Sequence, residues 1–280
     1  MTEFLAALLL GIIEGITEFL PISSTGHLLI AERWLGHRSD LFNIAIQAGA
    51  ILAVVLIYRQ RLWQLADAFL HPAKAQTTVH GQAPRDYAWK LAAAFGVTAV
   101  LGVIVKKLGF ELPEDVAPIA WALVIGAIWM VIAEQLAARR AQALGERTQI
   151  TWLVAILVGV AQVVAGVFPG TSRSASTIFV ALLFGTTNRA AATEFAFLVG
   201  IPTMFAATGY ELIDLARDGQ LAGEDWGSLA VAFTASALTA FVAVKWLLRY
   251  IQSHTFTVFA VYRVILGVAL LLLVSPSPSH

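Results

Sequence analysis

The chain predicts an all-α polytopic membrane protein, with six transmembrane helices plus two re-entrant helical hairpins in an inverted-topology repeat. Three observations carry that expectation: the composition, the lengths of the apolar runs, and a matching interruption in two of them. Apolar residues make up 59% of the 280 residues and DEKR only 13%, against about 45–50% and about 25% in soluble proteins. The mean hydropathy is +0.78. A soluble domain of this size has too little interior to hide so much apolar surface, so lipid is the solvent for much of it. Eighteen Lys+Arg balance eighteen Asp+Glu, and Cys is absent. The balance gives no reason to expect a nucleic-acid partner or a polybasic membrane-surface protein. The lack of Cys removes disulfide frameworks, Cys-zinc sites, thiol nucleophiles and iron–sulfur chemistry.

A helix needs about 20 apolar residues to cross the hydrocarbon core. Six runs qualify, at roughly 41–58, 88–106, 118–138, 190–212, 228–248 and 256–274. Two others are interrupted. The run from Phe4 to Leu35 breaks at Pro21 and the polar stretch Ser23-Ser24-Thr25-Gly26-His27. The run from Ile150 to Phe184 breaks at Pro169-Gly170-Thr171-Ser172-Arg173-Ser174. The limbs after the breaks, about 28–35 and 175–185, are too short to span. Each run therefore reads as a helix entering, a polar loop at depth and a short helix returning. The N-terminus is not expected to be a signal peptide: it lacks a basic n-region, and Glu14 and Glu18 interrupt its apolar run.

Loop charge sets the expected orientation. Arg59, Arg61, Lys74, Arg85 and Lys90 outnumber Asp67 and Asp86 in the 59–90 connection, and Arg139, Arg140 and Arg147 outnumber Glu146 in 139–149. Lys245 and Arg249 mark 245–255, whereas 211–226 carries five carboxylates against Arg217. The basic loops are expected in the cytoplasm. Alternation then holds only if both interrupted runs return to the side they entered. The N-terminus, the 107–117 and 211–226 loops and the C-terminus lie outside.

The two interrupted runs align at one constant offset. Gly11 falls on Gly159, Glu14 on Gln162, Leu20 on Phe168, Pro21 on Pro169, Ser23 on Thr171, Ser24 on Ser172 and Thr25 on Arg173. Three spans follow each, so a single membrane domain divides into halves of about 1–145 and 146–280, related by an inverted repeat. The related hairpins are expected to meet near the midplane and to carry the function there.

Ionisable residues at membrane depth cost at least about 2.5–3.5 kcal/mol each on the lenient insertion scale. Glu14 and Glu18, at i,i+4, share a helical face. Two like charges so close require a proton, a basic partner or a shared cation, and an oxygen-only pair favours Mg²⁺ or Ca²⁺. The bland alternative is an exposed pair at a hairpin's wet end. Ser24, beside His27 or a carboxylate, is a candidate nucleophile, with helix capping as the structural alternative for one hydroxyl of the run. Gly170, Thr171, Ser172, Arg173 and Ser174 describe an oxyanion cradle at a helix N-terminus, with Arg173 offering bidentate donors suited to phosphate. Arg173 pairing only with Glu14 or Glu18 is the alternative. Gln47 is a polar residue in an apolar span, either part of the site or an interhelical hydrogen bond. The set suits phosphoryl transfer from a lipid phosphate, with Arg and metal neutralising the charge. Glu134 and Arg263 read as snorkelling residues near span ends. Glu194 reads as facing water, with support of the site as the alternative, and His71, His80 and His254 as loop residues without metal spacing.

At these residues the sequence resembles the undecaprenyl-diphosphate phosphatase family, the bacitracin-resistance proteins. Glu14-Gly-Ile-Thr-Glu18-Phe-Leu-Pro-Ile-Ser-Ser-Thr-Gly-His27 matches the family's ExxxE stretch and following His, and Pro169-Gly-Thr-Ser-Arg-Ser-Ala-Ser-Thr177 matches its PGxSRSxxT stretch. The resemblance implies an inner-membrane hydrolase that removes the terminal phosphate of a C55 isoprenyl diphosphate, recycles the carrier for peptidoglycan and other envelope glycans, and confers bacitracin resistance. It places the acid pair on Glu14 and Glu18, the histidine on His27, the serine on Ser24 and the arginine on Arg173. It also implies a divalent cation and action mainly at the outer, periplasmic side.

The combined expectation is that Arg173, Ser172, Ser174 and Thr25 hold the diphosphate, with Ser23, Gly170, Thr171 and Gln47 around it. Glu14 and Glu18 bind metal or shuttle a proton, and Ser24 attacks with His27 as acid/base partner. Expected partners are the prenyl diphosphate, membrane lipid and, as an option, a second copy of the chain in a homodimer. A secondary transporter or lipid-carrier flippase is the alternative function that inverted broken helices suit. A structural scaffold leaves the buried charges unexplained.

Overall fold

A computed structural model describes residues 3–71, 78–109, 116–219, 221 and 224–273. Lys74, residues 110–115 of the 107–117 connection and the C-terminal 274–280 lie outside the described residues. The described chain is helical apart from an isolated bridge between Val79 and Gln82. In chain order the helices are α1 Glu3–Thr17, α2 Ser24–Leu35, α3 Asp40–Leu70, α4 Pro84–Lys107, α5 Val116–Leu144, α6 Trp152–Val167, α7 Arg173–Phe184, α8 Arg189–Arg217, α9 Trp226–Ser253 and α10 Thr257–Leu273.

Five of them, α3, α4, α5, α8 and α9, are long and apolar enough to cross a membrane. The sixth expected span is α10, whose described 17 residues fall short of the usual requirement of about 20. Other helices outrun their apolar stretch. α3 continues through Arg59 and Arg61 to Leu70, with Leu65 buried in the main core and Ala68 also buried. α5 likewise runs on to Leu144. The basic 59–90 and 139–149 stretches therefore begin as helix rather than loop.

Both interrupted runs are broken helices, α1–α2 and α6–α7. The polar stretches are shorter as loops than the sequence suggests: Ser24, Thr25 and His27 already belong to α2, and Arg173 and Ser174 to α7. The serine at each entry explains this. Ser23 Oγ accepts from Gly26 N, and Ser172 Oγ accepts from Ala175 N, so each caps the helix that follows. Both serines sit at positive φ, 74° and 70°, a region that non-glycine residues rarely occupy. Ser172, rather than Thr171, is thus the structural counterpart of Ser23. The alignment that holds for Gly11 and Gly159 slips by one residue across the break.

Packing around the two broken helices is reciprocal. α1 lies against α9, α6 against α4, α3 against α8 and α5 against α10. Close approach at glycines makes the first two contacts: Gly11 abuts Ala232, Gly15 abuts Ser236 and Thr239, and Gly159 abuts Ala94 and Val97. Ser236 and Thr239 are near the middle of the 28-residue α9, so the first break lies at mid-length of a long apolar helix.

Candidate functional site

The two breaks meet. Ser174 Oγ, in the first turn of α7, donates to Leu20 O in the first break at 3.1 Å. Glu14 lies on α1 and Glu18 just beyond its end, with Glu18 N bonded to Glu14 O at 2.9 Å. Both carboxylates are buried, at 2% and 9% exposure. The exposed-pair alternative for them is therefore wrong. Ser24 Oγ donates to Glu18 Oε2 at 2.5 Å. From the other break, Arg173 Nη1 approaches Glu18 Oε1 to 4.0 Å. Glu14, Glu18, Ser24 and Arg173 thus form one cluster from two distant stretches of chain.

Two buried atoms of the cluster, Glu14 Oε2 and Arg173 Nη1, have no hydrogen-bond partner among the described residues. A buried charged group left so costs several times an ordinary hydrogen bond. The arrangement leaves one carboxylate oxygen for a cation and one guanidinium edge for an anion, in adjoining positions. Among the described residues no group of three or more His, Asp or Glu side chains gathers to hold a metal. Two carboxylates nonetheless suit Mg²⁺, which typically takes one or two, with water and substrate phosphates completing its shell.

His27 is placed differently from the expectation. A helical side chain leans toward the helix N-terminus, and His27 Nδ1 reaches back to Ser23 O at 2.7 Å. A carbonyl only accepts, so Nδ1 carries the hydrogen. In the neutral ring Nε2 then accepts from Tyr262 Oη, 2.6 Å away on α10, and the two rings stack at 5.6 Å. Neither ring nitrogen bonds Ser24, whose hydroxyl donates to Glu18 instead. Tyr262 is a neighbour the sequence did not single out.

The remaining expected residues divide. Ser172 and Ser174 are buried, and their hydroxyls bond each other at 3.1 Å as well as Ala175 N and Leu20 O. They hold the second break in shape. Thr177 also turns inward, to Arg173 O. Thr25 is exposed. Gly170 has φ of 93°, and a Cβ there would press on Ile119 O at 2.6 Å, so the turn requires glycine. Gln47 is half-buried on α3, with no hydrogen bond to the cluster among the described residues.

Three residues read as marginal have definite places. Arg263 is fully buried rather than snorkelling, and its guanidinium bonds Pro21 O in the first break and Gly170 O and Thr171 O in the second. Its signal in the sequence is that it is the sole charged residue of α10, well inside both ends. Glu134 is buried too, accepting from Arg189 Nε and from Phe256 N ahead of α10. Glu194 is largely buried and bonds Arg61 and His80 at 2.8 and 3.1 Å, away from the cluster.

A family model described as bacitracin resistance protein BacA matches residues 7–269. The chain is 66% identical over 269 residues to a Rhizobium etli (strain CFN 42) protein named undecaprenyl-diphosphatase, covering 96% of each chain. It is 60% identical over 272 residues to a Xanthomonas axonopodis pv. citri protein of the same name, covering 97% of each.

Proposed function

The chain belongs to the bacitracin resistance protein BacA family, and from that premise we propose that it hydrolyses undecaprenyl diphosphate to undecaprenyl phosphate and inorganic phosphate. The observation that carries this reading is the cluster itself: Ser24 Oγ bonded to Glu18 at 2.5 Å, with Arg173 Nη1 4.0 Å from Glu18 and making no hydrogen bond among the described residues. Ser24 Oγ attacks the terminal phosphorus while Glu18 takes its proton. The P–O bond to the bridging oxygen breaks, and undecaprenyl phosphate leaves. Water then cleaves the phosphoserine, returning the proton to Ser24 and releasing phosphate. Arg173 stabilises charge on the equatorial oxygens, where most catalysis of phosphoryl transfer lies. His27, tied to Ser23 and Tyr262, orients the start of α2 and so the serine.

Glu14 and Glu18 would hold a divalent cation, Mg²⁺ or Ca²⁺, which when bound supplies charge neutralisation at the phosphates. The exposed apolar face of α10, with Val264, Ile265, Val268 and Leu272, begins one residue past Arg263 and suits contact with an isoprenoid tail. The protein sits in the bacterial inner membrane as six spans and two re-entrant hairpins, with the site opening to the periplasm. There it recycles the carrier for peptidoglycan synthesis and confers bacitracin resistance. The reciprocal packing of α1–α9 with α6–α4 and the paired cap serines support the inverted repeat.

Phosphate release from purified prenyl diphosphate tests the reading. Wild type with Mg²⁺ or Ca²⁺ releases phosphate, EDTA abolishes release, and Ser24→Ala lowers kcat by about 10³-fold or more. No release by wild type ends the enzyme reading, and full activity in Ser24→Ala removes the nucleophile but keeps the class. The same reciprocal packing suits a flippase as a second reading. Because the chain has no Cys, a cysteine introduced at Thr25 reports access cleanly. A hydrolase is labelled from the periplasmic face only, a transporter from both.

A further inference from the structure

We infer that Arg263 is a positioning residue for this reaction: by binding the backbone of both breaks, its guanidinium sets the separation between the Ser24–Glu18 pair and Arg173. The inference rests on the diphosphatase reading above.

Every N–H of the guanidinium is used. Nε donates to Leu123 O at 3.2 Å, Nη1 to Pro21 O at 3.3 Å and Thr171 O at 3.1 Å, and Nη2 to Ala122 O at 3.1 Å and Gly170 O at 3.0 Å. Five donors meet five carbonyls, the full capacity of an arginine. No carboxylate pairs with it among the described residues. A charge so deep is retained only where its hydrogen bonds are complete. Breaking α1–α2 and α6–α7 frees backbone carbonyls that lipid cannot solvate. One rigid fork satisfies carbonyls of both breaks at once.

The bonded carbonyls flank the reacting groups. Pro21 lies midway between Glu18 and Ser24, and Gly170 and Thr171 lead directly into Ser172 and Arg173. The same carbonyls precede the two cap serines with positive φ, a conformation that persists only where surrounding structure over-determines it. α5 is shaped for the fork: a methyl group on Gly126 would overlap Arg263 Nη2. Lys has three donors on one atom and no planar fork, so it cannot reach this set of carbonyls.

Arg263→Lys is expected to lower kcat for phosphate release by about 100-fold, with KM changed by less than about threefold, as for misplacement of reacting groups by about 1 Å. In an Arg173→Lys background the same change is expected to cost less than about fivefold, because the separation it sets no longer matters. A kcat within about threefold of wild type overturns the inference, and so does an equal cost in both backgrounds, the mark of a merely structural role. Should Arg263→Lys fail to purify folded, Gly126→Ala keeps the arginine and displaces its fork. A fall in kcat of about tenfold is expected there, and an unchanged kcat overturns the inference. Spin labels on Thr25→Cys and Thr171→Cys read the separation without activity. Arg263→Lys, or Gly126→Ala where needed, broadens their distance distribution. An unchanged distribution overturns the inference even if wild type releases no phosphate, an outcome that would sink the diphosphatase reading separately.

Discussion

In the first broken run the helix stops at Thr17 and leaves Glu18 outside it, turned to Ser24. In the second, α6 continues to Val167, and Gly166, which the repeat aligns with Glu18, remains helical. The position of Glu14 is taken by Gln162, whose amide donates to Thr98 on the neighbouring α4 at 2.9 Å. Both runs then resume through a capping serine at positive φ. The backbone device is duplicated, but the chemistry is divided: carboxylates and serine on one side, guanidinium on the other. Two copies of either set would face each other as like charges in a low-dielectric interior, where repulsion and desolvation add. The difference between the two breaks is therefore what makes the meeting point usable.

The comparison can be broken at the charged contribution of the second run. Arg173→Lys keeps the charge but loses the fork, and kcat is expected to fall by about 100-fold in the phosphate-release assay. Retention of activity would mean that any cation serves, and that the division is one of charge alone. A smaller effect is expected from making the second run resemble the first. Gln162→Glu replaces an amide donor to Thr98 by a buried carboxylate, so thermal unfolding in detergent should show a loss of about 2–3 kcal/mol. The folded fraction should keep wild-type kcat, and a gain in rate would show that the second run can carry the acid role. Gly166→Ala comes last. A Cβ there meets nothing within 4 Å, so stability should rise by no more than about 1 kcal/mol with kcat unchanged. A loss of activity would show that the helix end must yield during turnover.

Glu14, Glu18 and Arg173 were legible because a charge in a long apolar run stands out against the cost of placing it there. Ser24 was legible by adjacency to them. The partner of Ser24 was not: His27 and Glu18 are both near in sequence, and only the backward lean of a helical side chain sends His27 to Ser23 and Tyr262. Ser172 and Ser174 looked like substrate ligands because hydroxyls beside an arginine suit phosphate, yet the same hydroxyls also suit a cap and a bridge to Leu20. Arg263 stands out in sequence as the one charge of α10, but the carbonyls that hold it lie on the two distant breaks, so its role is not legible there.

Composition and periodicity alone determine that this is a helical membrane protein with two broken helices and three charges that lipid should exclude. These properties follow from transfer free energy and helix geometry, which act locally along the chain. Tertiary structure decided which charges meet, which hydroxyls stay inside, and that Arg263 joins the two breaks. Those outcomes depend on groups 92 to 242 residues apart reaching the same few ångströms, and no local pattern encodes that distance.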